Sequence, residues 1–194
     1  MNSPFLNQPV SKWEEITEKL IDNFPFSKDY LVHTVIRSWN DILKTNIDNL
    51  SLLHDIRPKP QIMGFFLHEL VSHRIEEDNP KEWRKEKNAN DKDVVCIFDP
   101  SYSFEIKTSS NKNRIFGNRS YSQKTQSDKK SKSGYYLAIN FEAFNDKNNT
   151  PKIRLIRFGW IDHEDWQGQT AASGQQSRLS TDVETKKLLT VYNK

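Results

Sequence analysis

Three charged residues have the types and spacing for hydrolytic chemistry: Asp93, Glu105 and Lys107. They lie in Asp93-Val-Val-Cys-Ile-Phe-Asp-Pro-Ser-Tyr-Ser-Phe-Glu105-Ile-Lys107. This stretch reads as a β-hairpin, with strands over 93–98 and 102–109 and Asp99-Pro-Ser-Tyr as the turn. Strand alternation puts Glu105 and Lys107 on one face and Phe104 and Ile106 on the other. With the turn centred near residue 100, Asp93 falls opposite Lys107 and diagonal to Glu105. Diagonal neighbours lie ~7–8 Å apart, and their carboxylates can converge on one Mg²⁺ at the ~2.0–2.1 Å its ligands require. A cation there offsets the cost of burying two like charges together. It also polarises a phosphate and activates a water, with an ammonium beside it, which is the equipment for cutting a phosphodiester. A one-residue slip of register turns Asp93 to the other face, and Asp91 and Asp99 then compete for the role.

A Glu-x-Lys on a strand is most often a solvent-face pair, so its surroundings decide its weight. From Lys107 to Lys132 the chain carries eight basic residues against one acid, Asp128. The chain as a whole is only +3, so a basic flank sits on a mildly acidic body. Such a distribution is a polyanion footprint. Lys112, Arg114, Lys129, Lys130 and Lys132 are candidates for phosphates, which position a duplex without specifying its sequence. Asn118, Arg119 and Gln123, and separately Gln175, Gln176 and Arg178, are candidates for base edges. Arg pairs with guanine, and Asn or Gln with adenine. Glu69, at the edge of a helix's apolar arc, is read as a third acid turned toward the metal, either directly or through water. His68-Glu69-Leu-Val-Ser-His73 only resembles a zinc-protease helix: its histidines are five apart, and the motif needs four. Cys96 alternates within an apolar strand with no nearby His, so it reads as a buried structural thiol.

The elements that must position these residues follow from periodicity. Ser11 and Glu14 form a capping box for a helix over 11–23 carrying Trp13, Ile16, Leu20 and Phe24. Ser27 or Asp29 starts a second helix, with Leu31, Val32, Val35, Ile36, Trp39, Ile42 and Leu43 on one face, ending near 44–46. Pro58 and Pro60 flank the start of a third, whose arc is Ile62, Met63, Phe66, Leu67, Leu70 and Val71. Residues 79–92 read as a polar loop. A short helix is expected around 119–127, strands over 135–141 and 153–161, a helix from 162 or 163 closed by Gly174, and a short helix over about 180–191. Helices, hairpin, two more strands and a helix give an α/β domain with a mixed central sheet flanked by helices.

Composition sets the outer bounds. A chain of 194 residues with 35% hydrophobic residues, 11 Phe and 5 Trp is long and apolar enough for one folded core rather than a disordered tail. We expect a single domain over 1–194, with a helical part at 1–58, a catalytic core at 59–178 and a tail at 179–194. One cysteine cannot form an internal disulfide, so the reducing cytoplasm is the expected compartment. No apolar run approaches the ~18 residues of a membrane span.

Longer blocks resemble the ScaI family of type II restriction endonucleases. They are Lys59-Pro-Gln-Ile-Met-Gly-Phe-Phe-Leu-His-Glu-Leu70, Glu105-Ile-Lys-Thr-Ser-Ser110, Ile115-Phe-Gly-Asn-Arg-Ser-Tyr121, Lys130-Ser-Lys-Ser-Gly-Tyr-Tyr136, Ile156-Arg-Phe-Gly-Trp160 and Gly174-Gln-Gln176. The resemblance implies the restriction-endonuclease-like PD-(D/E)XK fold, Mg²⁺ dependence and a homodimer on a short palindromic DNA site, AGTACT-like with blunt ends. It also implies a cognate DNA methyltransferase as a genetic neighbour. Residue by residue, Asp93 matches the motif's aspartate, Glu105 its second acid, Lys107 its lysine, and Glu69 the glutamate that related nucleases add from an earlier helix. The chain departs from the pattern at Lys92, where proline is usual. The rival expectations are a structure-selective nuclease of the same fold and a DNA-binding module without catalysis.

Overall fold

The computed structural model describes residues 3–123, 131–145, 150–170 and 174–194. Helix α1 spans Trp13–Asp22, α2 Lys28–Lys44 and α3 Pro60–Asp78. The expected capping box at Ser11 does not form. A 3-10 turn at Val10–Lys12, closed by Lys12 N–H on the Pro9 carbonyl at 2.9 Å, places Ser11 inside the turn, and Lys12 is the cap. Helix α2 has its side-chain cap: Ser27 Oγ accepts from Tyr30 N–H at 3.1 Å. Of its expected apolar face, Leu31, Val35, Trp39, Ile42 and Leu43 are buried, while Val32 and Ile36, at its margin, are half-buried.

Helix α3 is rotated from the expected arc. Met63, Gly64, Leu67, Val71 and Ile75 face inward, whereas Ile62 and Phe66 are exposed. Gly64 explains the rotation: a Cβ there would lie 2.7 Å from Thr108 Oγ1, so the bare backbone lets the helix settle on the strand that carries Glu105 and Lys107. Hydrophobic periodicity does not register a glycine used this way.

Strands β1 (Asn46–Ile47) and β2 (Leu50–Ser51) pair as a short hairpin between α2 and α3, and among the described residues the main sheet has six strands. In chain order they are β3 (Trp83–Lys85), β4 (Val94–Cys96), β5 (Phe104–Ser109), β7 (Gly134–Phe141), β8 (Ile153–Ile161) and β11 (Leu188–Asn193). In space they run β11-β8-β7-β5-β4-β3. Strands β5 and β7 are parallel and the other pairs antiparallel, so the sheet is mixed, as expected. Alternation along β7 divides the core. Tyr135, Leu137, Ile139 and Phe141 pack with residues of all three helices. Tyr136 and Ala138 point the other way, onto Ile115, Trp166, Leu179, Val183 and Leu188. Phe104 and Ile106 belong to the helix-packed side, so Glu105 and Lys107 lie on the opposite face.

Four sequence expectations change. Residues 79–92 contain strand β3, whose Trp83 is wholly buried against Phe26 and Phe104. The helix expected after 162 is one 3-10 turn, His163–Asp165, because Asp165 is drawn to the Lys187 ammonium at 2.9 Å. The helix expected over 180–191 is a single π-turn, Val183–Lys187, followed by β11 on the edge of β8. The β-favouring run Leu188-Leu-Thr-Val-Tyr192 takes the strand that an open edge offers. The helix expected at 119–127 is a 3-10 turn at Arg119–Ser122, with residues 124–130 outside the described set.

Three further short strands form a second sheet: β6 (Phe116–Asn118), β9 (Gln167–Gly168) and β10 (Gln176–Arg178), in the order β6-β10-β9.

Candidate active site

Strands β4 and β5 pair with Val94 opposite Phe104, which sets Asp93 directly across from Glu105. The expected register is off by two residues, so Asp93 faces Glu105 rather than Lys107 but keeps its face. The connection accounts for the difference. It is a 3-10 turn at Pro100–Tyr102 capped by Asp99, and Ser103 Oγ accepts from Cys96 N–H at 3.0 Å. This takes up residues that a symmetric hairpin would pair.

Both carboxylates are buried, Asp93 at 6% exposure and Glu105 at 1%. Asp93 Oδ2 accepts the Ile106 N–H at 2.7 Å, a bond that ties the side chain across to β5. His68 Nε2 lies 3.2 Å from the same oxygen. Glu105 Oε2 accepts from the Tyr121 hydroxyl at 3.3 Å and stands 3.7 Å from Lys107 Nζ. Its other oxygen is 3.5 Å from Lys92 Nζ. Two buried like charges at adjacent strand positions are thus balanced by two ammonium groups.

The donor set fits a hard divalent cation. Mg²⁺ takes one or two carboxylates and keeps several waters, and Asp93, just before β4, and Glu105, in β5, are two buried carboxylates at opposing positions. Among the described residues, no group of three or more His, Cys, Asp or Glu side chains is arranged to hold an ion. Glu69 is engaged elsewhere. Lys85 Nζ donates to its Oε2 at 2.8 Å, and its Oε1 lies 3.3 Å from His68 Nδ1. The Lys85 ammonium holds the Glu69 carboxyl below its usual range. The residues form a chain, Lys85–Glu69–His68–Asp93, with the imidazole between the two acids. Burial works against protonation of His68, but Asp93 outweighs it and the imidazole titrates above its ordinary value.

The alternatives to Asp93 have other duties. Asp91 accepts from Arg84 Nη1 at 2.7 Å, which holds its carboxyl down at about 2, and Asp99 caps Ser101 N–H at 2.9 Å. Cys96 is wholly buried, and burial pushes its thiol up. His68 lies on Asp93, while His73 is exposed one and a half turns further along α3.

The candidate DNA contacts divide into a loop and a sheet. Lys112 and Arg114 are exposed on the loop after β5. Asn140 anchors that loop, donating to the carbonyls of Asn111 at 3.0 Å and Arg114 at 2.9 Å. Glu184, paired with buried Arg157, accepts the Ile115 N–H at 3.1 Å. Lys132 turns inward, to the Ser120 carbonyl and to the face of Tyr121. Gln123 is exposed; Lys129 and Lys130 lie outside the described residues.

The two separate groups of base-edge candidates are brought together. Asn118 pairs with Gln176, and Arg178 stands between Phe116 and Gln167 across the second sheet. Arg119 N–H donates to the Gln175 carbonyl at 2.8 Å, and its guanidinium to the Gly174 carbonyl at 3.3 Å. Cross-strand partners point to one side, so Asn118, Gln176, Arg178 and Gln167 share a face, and all four are exposed. Ser177 and Gly117 point inward.

Sequence reasoning missed His68, Lys92, Tyr121 and Gln167. His68 and Lys92 each adjoin a candidate acid in sequence, and Tyr121 closes one of the family-like blocks. Gln167 carries no signal in the sequence; pairing through β10 is what places it.

Comparisons with known proteins give the family of the chain. The family described as ScaI restriction endonuclease matches residues 3–192. A curated relative, "Type II restriction enzyme ScaI" of Streptomyces caespitosus, is 41% identical over 98% of this chain and 85% of its own length. A match over nearly the whole sequence covers the β4–β5 acids and the second sheet alike. The chain therefore belongs to the ScaI restriction endonuclease family, with the function of a type II restriction endonuclease.

Proposed function

We propose that the protein cuts both strands of a short palindromic duplex in the presence of Mg²⁺, with Asp93 and Glu105 as its metal ligands. The observation that carries this reading is the pair itself: two buried carboxylates, one just before β4 and one in β5, come opposite each other by the Val94–Phe104 register, and Lys107 lies beside one of them. When bound, Mg²⁺ supplies charge to a phosphate oxygen and lowers the pKa of a coordinated water. Lys107 orients the attacking water in line with the scissile bond and offsets charge gathering on the phosphorane. Lys92 balances Glu105 from its other oxygen. His68 orients Asp93, and Glu69 reaches the ion indirectly, through His68. Such outer partners fix the orientation of ligand carboxylates.

Lys112 and Arg114 meet phosphates, together with Lys129, Lys130 and Lys132. Asn118, Arg119, Gln123, Gln175, Gln176 and Arg178 supply the base-reading set. A two- or three-stranded ribbon is a known reader of a groove. The reading includes a homodimer, matched to the symmetry of a palindrome. An apolar groove lined by buried Ile42 and Leu52 and by exposed Ile47 and Phe66 supports it, since exposed apolar surface marks contact sites. The site is AGTACT-like with blunt ends, the compartment is the cytoplasm, and a cognate methyltransferase is encoded nearby. No described helix is long and apolar enough to cross a membrane.

The test is incubation with plasmid DNA and Mg²⁺, followed by sequencing of the ends, beside Glu105→Ala and Lys107→Ala. We expect one fixed palindrome, cut bluntly by the wild type and left intact by both variants while Ca²⁺-supported binding survives. Mg²⁺-dependent cutting by either variant would overturn the assignment.

A further inference from the structure

Tyr121 stands where the two halves of the site meet. It lies in the 3-10 turn that follows β6. Its hydroxyl donates to Glu105 Oε2 at 3.3 Å, and its ring centroid is 4.7 Å from Lys107 Nζ. Lys132 Nζ approaches the same ring at 4.8 Å. The ring meets Trp166 edge-on at 5.0 Å, and Trp166 directly precedes β9. On its other side is the backbone of β6: a Cβ on Gly117 would lie 2.9 Å from Tyr121 Cγ and 2.8 Å from Ser177 Oγ. One side chain thus touches both members of the Glu105/Lys107 pair and is seated on strand β6 and on the residue that leads into β9. Of the three strands that present Asn118, Gln176, Arg178 and Gln167, β6 touches the ring directly and β9 begins one residue after its neighbour Trp166.

We propose that Tyr121 is a positioning residue that makes cutting conditional on correct seating of the β6-β10-β9 face. Close packing carries the coupling, because a packed contact transmits a small displacement instead of absorbing it. When the face settles on matching base edges, β6 and Trp166 set the position of the ring. The ring then sets the Lys107 ammonium through its π face, and the hydroxyl sets the Glu105 carboxylate. When the face settles poorly on a near-match, the same contacts leave the pair misplaced. Selectivity then resides in the cutting step as well as in binding. The inference rests on the assignment of Glu105 and Lys107 made above.

The test compares Tyr121→Leu, Tyr121→Phe and Gly117→Ala in the full-length protein. Three quantities are read: single-turnover cutting at saturating enzyme with Mg²⁺, Ca²⁺-supported affinity, and the ratio of cutting rates on the matching site and on sites altered at one base pair. For Tyr121→Leu we expect a loss on the order of 10²-fold in single-turnover rate, the scale of a small misplacement of reacting groups, with affinity within about 2-fold of wild type. Its matching-to-mismatched ratio should fall as well. Tyr121→Phe keeps the ring and should recover most of the rate and the ratio. Gly117→Ala pushes the ring without touching the catalytic pair, and it should move both readouts in the direction of Tyr121→Leu. Thermal melting establishes that each variant is folded. Wild-type rate and ratio in both Tyr121→Leu and Gly117→Ala would overturn the inference. So would a loss of rate matched by an equal loss of affinity, which would make Tyr121 a plain DNA contact. Failure of the underlying site assignment is separate and shows as cutting by Lys107→Ala.

Discussion

The β4–β5 seam and the β6-β10-β9 sheet solve opposite problems. At the seam, Asp93 and Glu105 are twelve residues apart, stand one step beyond the Val94–Phe104 pair, and are both buried. In the second sheet, Asn118 and Gln176 are paired although 58 residues separate them, and both are exposed. Burial at the seam holds charged groups in one geometry and strengthens every interaction among them. Exposure in the sheet leaves amide and guanidinium groups presented outward, where base edges can meet them. Chemistry needs fixed groups in a dry place; recognition needs polar groups that have not already satisfied one another. The comparison predicts that substitutions in the two regions fail differently.

The largest effect belongs to the seam. Asp93→Asn keeps the shape of the side chain but removes its charge. It should lower single-turnover cutting by about 10²–10⁴-fold with affinity for DNA nearly unchanged. A loss of affinity instead would place Asp93 with the recognition residues and break the comparison.

Next come the sheet residues. Gln176→Ala and Arg178→Ala should each cost about 1–3 kcal/mol of discrimination at one base position. The check is a set of duplexes altered one base pair at a time, with cutting at saturation on the matching site largely kept. Equal losses on every duplex would mark these residues as phosphate contacts.

The basic loop should behave as neither region. Lys112→Ala and Arg114→Ala should each lower the slope of log affinity against log salt by ~0.9, without changing which sequence is preferred. Affinity measured across a salt series decides it.

The smallest effect concerns stability near the seam. Arg84 holds Asp91 down at about 2 against an ordinary 3.8. A depressed carboxyl contributes stability that is full above the ordinary value and is lost as pH falls through the depressed one. Asp91→Asn should therefore be less stable than wild type at pH 6, by about 1 kcal/mol or less for a half-buried ion pair. The difference should close as pH falls from near 3.8 toward 2. A constant difference across that window would assign the effect to packing.

The seam was largely legible in the residues and the second sheet was not, for a physical reason. Alternation on β5 depends only on neighbours in sequence, so Glu105 and Lys107 could be placed on one face without a partner strand. Asp93 needed a register, and the register depended on how Ser103 and Asp99 shape a turn. The second sheet is built from strands of two or three residues, too short to show a period. The helix expected after Asp162 failed for a related reason: Lys187, more than twenty residues away, claims Asp165.

Local order alone specified much of this protein: three helices, the strands through 135–141 and 153–161, the face of Glu105 and Lys107, and a basic flank beyond them. These follow from side-chain volume, period and charge along a continuous stretch. Long-range packing settled the rest. It rotated α3 about Gly64, laid His68 on Asp93, drew the C-terminal run onto the edge of β8 and joined Asn118 to Gln176. Each of these outcomes depends on a partner remote in sequence, and a partner's position is a property of the folded chain.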